Sequence, residues 1–120
     1  MTLAFRLFFC VAFGSALWLS LMPIPPAIAG IGSDPMKHAV GWAGLTLLMA
    51  IAYRGLSATQ LITLIAVANL ATEVLQGVAQ IGRNPDALDW VWGMVGTLII
   101  AGLRNVLLSV RPDEARSNAA

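Results

Sequence analysis

Charge is what this chain has least of. Lysine and arginine supply 7 residues and aspartate and glutamate 6, so 11% of the 120 residues are charged. A water-soluble domain normally carries about twice that share. The two signs nearly cancel, to a net charge of +1, which excludes the basic field that nucleic acid binding requires. Cysteine is almost absent too. The lone Cys10 rules out a disulfide framework or a cysteine metal site within one chain. Leu7, Phe8 and Phe9 precede it and are too bulky for a lipoprotein cleavage site. No stretch alternates polar and apolar residues as a lipid-facing barrel strand must. There is no internal repeat and no low-complexity segment.

What the chain has is apolar surface. Hydrophobic residues make up 58% and the mean hydropathy is +0.80. The length sets a ceiling of one domain. Apolar segments cover about 7–22, 39–53, 61–79 and 90–110, the first stopped by the prolines of "PIPP", and a bilayer core of roughly 30 Å takes about twenty helical residues. The expectation is an all-α integral membrane bundle of four transmembrane helices, at about 7–28, 35–54, 58–80 and 85–108. They form a single domain over 1–110, followed by a polar tail over 111–120. The second segment is short, so Lys37 and His38 should lie at or just inside the outer interface. Asp34 and Asn84 are the expected N-caps, with Pro35 and Pro85 at the first helical position. Ser57 and Gln60 have the spacing of a capping box.

Arg6, the first apolar stretch and "AIAG" also fit a signal peptide cut after Ala29, although a retained helix is favoured. Either way the remaining helices keep the same sidedness. With the N-terminus inside, Arg6, Arg54, Arg104, Arg111 and Arg116 are internal and only Lys37 and Arg83 external. This imbalance predicts N-in/C-in.

That orientation collects the chemistry at the outer end. Asp34, Lys37 and His38 open the second helix. Asn69, Thr72, Glu73, Gln76 and Gln80 recur at i, i+3, i+4, i+7 and i+11, which is one stripe of the third. A polar stripe on a membrane helix faces protein or a water-filled cavity. Arg83, Asp86 and Asp89 follow in the loop and the first turn of the fourth helix. Lys37, Gly41 and Gly44 form one row on the second helix, and Asp89, Gly93 and Gly96 another on the fourth. Glycines let helices approach closely, or leave room for a ligand where helices stay apart. Trp90 and Trp92 suit an outer aromatic belt, and Trp18 and Trp42 suit packing. Each charge also has a purely structural use. Asp34 can be a cap, Lys37 can pair with Glu73, and Arg83 with Asp86 or Asp89. His38 can donate to a carbonyl or a carboxylate.

"SDPMKHAVGW", "TEVLQ", "IGRNPDALD" and "WVWGMVG", in this order, resemble the VanZ-like family of small bacterial membrane proteins. Asp34, Lys37 and His38 match the family's Asp-x-x-x-His helix start. Glu73 and Gln76 match Glu-x-x-Gln. Arg83 and Asp89 match the Gly-Arg loop and the Asp that opens the last helix, and Gly96 matches the closing glycine. The resemblance covers residues 33–102. Two positions depart from the pattern: Trp42 stands where a Tyr is usual, and Gly93 where an Asn is usual. The resemblance implies a multi-spanning helical protein whose shared feature is the outer cluster. The founding member is associated with low-level teicoplanin resistance. No reaction comes with the family.

The expected function is a membrane protein with an outward-facing polar site formed by Asp34, Lys37, His38, Glu73, Gln76, Arg83 and Asp89. Lys37 and Arg83 would contact an anionic lipid, cell-wall precursor or glycopeptide. A second reading is a partner-binding or structural module whose charges only tie helices together, with a homo-oligomer among its forms. A membrane-embedded hydrolase is less favoured. Asp34 and His38 share one helix face, and Glu73 or Asp89 would complete a metal site or acid–base pair, but no serine or cysteine nucleophile stands beside the single histidine. No cofactor and no metal centre is assigned.

Overall fold

The computed structural model describes residues 2–22, 34–78 and 86–110. The fold is all-α: α1 (Thr2–Ser20), α2 (Asp34–Ala52), α3 (Ala58–Val78) and α4 (Ala87–Ser109). The first helix starts earlier than its apolar run suggests, because Thr2 to Arg6 wind into it. Gln80, Arg83 and the expected Asn84–Pro85 cap, together with the tail, lie outside the described residues. So does the cleavage site proposed after Ala29.

Three helices, α1, α3 and α4, are long and apolar enough to cross a membrane. At 1.5 Å per residue, the 23 residues of α4 span about 34 Å. The remaining helix, α2, has 19 residues but places Asp34 and Lys37 in its first turn.

Capping follows the sequence at one end of the third helix and departs from it at the start of the fourth. The Ser57 amide donates to Gln60 Oε1 at 2.9 Å, and the Gln60 amide donates back to Ser57 Oγ at 3.2 Å. This is the reciprocal capping box. The N-cap of α4 is Asp86, not Asn84. Its backbone is extended and its side chain accepts from the Leu88 amide at 2.8 Å.

The helices run up and down. At one end, Arg6 Nε donates to the Ala52 carbonyl at 3.4 Å, and its guanidinium lies 5.2 Å from the centre of the Tyr53 ring. At the same end, Arg104 Nη2 donates to the carbonyls of Arg54 and Leu56 at 3.2 and 2.7 Å. These arginines satisfy carbonyls left open where α2 stops. The opposite end gathers the last turns of α1 and α3 and the first turns of α2 and α4, and Gln76 Nε2 donates there to the Ser20 carbonyl at 2.9 Å.

Burial runs against the pattern of a water-soluble protein. Trp42, Leu45, Ala52, Leu61, Ile65 and Ala101 are buried, but so are Thr46, Asn69, Thr72, Glu73, Gln76 and Thr97. Large apolar side chains such as Leu3, Phe8, Val67, Val78, Ile99 and Leu107 are exposed. Water would penalise so broad an apolar exterior; lipid favours it, and sends polar groups inward.

The tightest packing is between α2 and α4. A Cβ on Gly96 would collide with the Ala39 carbonyl oxygen, and one on Gly93 would strike Asn69 Nδ2 and come within 2.5 Å of Trp42 Cδ1. Thr46 Oγ1 donates to the Trp42 carbonyl at 2.6 Å and lies 3.2 Å from Thr97 Oγ1, which bonds the Gly93 carbonyl at 3.0 Å. The other glycine row differs from expectation: Gly41 and Gly44 are exposed with open space around them.

Candidate functional site

Three helices bring three titratable side chains together at the end opposite the arginines. His38, in the first turns of α2, places Nε2 3.2 Å from Asp89 Oδ2 in the first turn of α4. Glu73, five residues before the end of α3, completes the group. One ligand atom each from His38, Glu73 and Asp89 lies within 4.8 Å of the others. Glu73 is buried, while His38 and Asp89 are half-buried.

Glu73 reaches across to the start of α4, where its Oε2 accepts from the Asp86 amide at 3.2 Å. That amide is one of the donors left free by the helix geometry, and a carboxylate there also suits the helix dipole. Asp86 therefore does two things: its side chain caps α4 and its backbone anchors Glu73. The sequence marked Asp86 as a first-turn acid and as a partner for Arg83, not as the cap.

One turn further in, Asn69 Nδ2 donates to the Trp90 carbonyl at 3.0 Å, and Trp90 Nε1 donates to the Ala66 carbonyl at 3.3 Å. Asn69 Oδ1 is buried with no hydrogen-bond donor among the described residues. The polar stripe of α3 is thus buried at Asn69, Thr72, Glu73 and Gln76. Thr72 bonds back to the Ala68 carbonyl at 2.9 Å, a local use that needs no ligand.

The other sequence candidates divide. Gln76 is buried but spends its amide on Ser20, tying α1 to α3. Lys37 does not reach across to Glu73. Its Nζ sits 2.8 Å from Asp34 Oδ1, one turn back on the same helix. That pair is solvent-accessible, so it contributes little. Arg83 lies outside the described residues. Of the seven candidates, the structure joins His38, Glu73 and Asp89 directly and leaves Asp34 and Lys37 as a separate pair at the rim.

The two departures from the family-like pattern touch one another. Trp42 is buried, and its ring fills the space where a side chain at position 93 would begin. The Asn69 amide, from α3, occupies the rest of that space. No protein-family model, curated protein or solved structure matches the chain.

Proposed function

We propose that this chain is a VanZ-like protein of the bacterial cytoplasmic membrane, with four crossing helices, both termini inside and a polar ligand site at the outer face. Residue chemistry supports the orientation. Arg6, Arg54 and Arg104 share one end of the bundle and Arg111 and Arg116 follow in sequence, whereas Lys37 stands at the other. Cytoplasmic ends carry the excess of positive charge. The helix α2 crosses as part of the bundle, with Asp34 and Lys37 at the interface, where charge is tolerated.

The observation that carries the site is the convergence of His38, Glu73 and Asp89 from three separate helices. Ionisable groups placed within a membrane bundle mark functional sites by default. The Lys37–Asp34 pair at the rim is weak enough for Lys37 to turn to an anionic group, with Arg83 as its partner. An anionic lipid, a cell-wall precursor or a glycopeptide carries such a group. In this reading the protein contributes to teicoplanin resistance.

A second reading is favoured by the hydrogen bonds themselves. His38–Asp89, Glu73–Asp86, Asn69–Trp90 and Gln76–Ser20 all join different helices, as a purely structural network would. Teicoplanin susceptibility of cells expressing the chain separates the two. The ligand site requires that the parent protects and that Glu73→Gln, expressed to the same level, does not. Equal protection by both makes Glu73 structural, and no protection by the parent removes the resistance role.

A further inference from the structure

We infer that His38, Glu73 and Asp89 bind a divalent transition-metal ion, with Zn²⁺ the best fit. The inference deepens the polar-site reading and rests on it. The sequence reading assigned no metal centre, and weighed His38 with Glu73 or Asp89 as a metal site only within its less favoured hydrolase alternative.

Geometry comes first. Zn–N and Zn–O bonds of about 2.0–2.2 Å set the edge of a tetrahedral site at roughly 3.3–3.5 Å. His38 Nε2 and Asp89 Oδ2 already stand 3.2 Å apart. All three ligand atoms lie within 4.8 Å of one another, so closure takes side-chain shifts of about an ångström. The ligands come from α2, α3 and α4, and tight packing of α2 on α4 fixes two of those backbones.

Ligand type comes second. One imidazole with two carboxylates suits zinc and the neighbouring first-row dications. Magnesium and calcium prefer all-oxygen sets, and Cu⁺ prefers sulfur. The sole thiol, Cys10, is on α1 outside the cluster. Binding places the imidazole proton on Nδ1 and gives the Nε2 lone pair to the ion. Asp89 then changes from hydrogen-bond acceptor to ligand. Two carboxylates balance the charge of a dication without help. Three protein ligands leave one tetrahedral position open, as sites that bind a further molecule do.

Surroundings come third. Glu73 is 6% exposed and steadied by the Asp86 amide, the kind of outer contact that orients a metal ligand. Asn69, one turn away on the same face of α3, adds a buried acceptor with no donor among the described residues. A bound ion would also neutralise the two carboxylates, removing the charge that would repel an anionic ligand at this end.

The test uses the untagged full chain in detergent, stripped with a chelator and titrated with Zn²⁺ or Co²⁺. One ion per chain is expected, with the visible absorption of tetrahedral Co²⁺. His38→Gln, Glu73→Gln and Asp89→Asn should each weaken binding roughly tenfold or more. Cys10→Ser should leave it unchanged. Because His38 is the only histidine, its modification by diethyl pyrocarbonate gives a readout on the parent protein that no misfolded variant can confuse. Zn²⁺ should protect it. Equal modification with and without Zn²⁺, or unchanged binding in all three variants, overturns the inference. A parent that binds no metal yet loses its resistance phenotype with Glu73→Gln overturns the metal and retains the polar site.

Discussion

A methyl group on Gly96 would land on the carbonyl oxygen of Ala39, a backbone atom that cannot swing aside. The helices α2 and α4 must then separate, and with them His38 and Asp89. Gly96→Ala should therefore destabilise the bundle by about 1–3 kcal/mol, read from unfolding in detergent. Gly102 makes the natural control. Nothing lies within 4 Å of a Cβ there, so Gly102→Ala should be neutral or stabilise by at most about 1 kcal/mol. Equal effects at the two positions would mean that the α2–α4 contact does not govern the response at Gly96. At position 93 the constraint comes from side chains, the Trp42 ring and the Asn69 amide. Gly93→Ala should therefore cost less in a chain where Trp42 is replaced by a smaller residue. A double-mutant cycle measures that coupling.

Among the elements, α3 was the most legible in sequence and α2 the least. Polar residues four and three apart in a greasy segment can only share a face, and that face is buried from Asn69 to Gln76. The capping box was equally readable, because Ser57 and Gln60 meet within one turn. Ser57→Ala should cost about 1 kcal/mol. A double variant with Gln60→Ala should lose less than the sum of the singles, since each removes the same reciprocal pair; additive losses in unfolding experiments would argue against the box. What sequence did not reveal was rotation. Both α2 and α4 offered a charge followed by glycines, but only Gly93 and Gly96, on α4, are buried. Lipid accepts glycine on any face, so the residue gives no sign of which way it points. The same ignorance of rotation hid the partner of Lys37, which is Asp34 on its own helix. Thr46 and Thr97 were invisible for another reason: each hydroxyl bonds a carbonyl one turn back, which leaves no mark on the sequence.

For the whole molecule, the proposed orientation makes a direct prediction. In a Cys10→Ser background, a cysteine at the exposed Ala87 should react with a membrane-impermeant maleimide in intact spheroplasts. One at the exposed Gly55 should react only after lysis. The reverse pattern would invert the topology and place His38, Glu73 and Asp89 on the cytoplasmic side. Reaction of both in intact cells would rule out a membrane crossing by α3.

The pairing of α2 with α4 also has a consequence in time. Of the four helices, α2 is the one that is not apolar enough to cross a membrane by itself, and its packing partner is made last. During synthesis α2 must wait, through the whole of α3, for the helix that covers Thr46 and meets His38. In the proposed topology, its polar groups have lipid, the insertion machinery or α1 for company until then. In that topology a chain halted before α4 ends as a bundle with an unsealed seam, which would make it a substrate for membrane quality control.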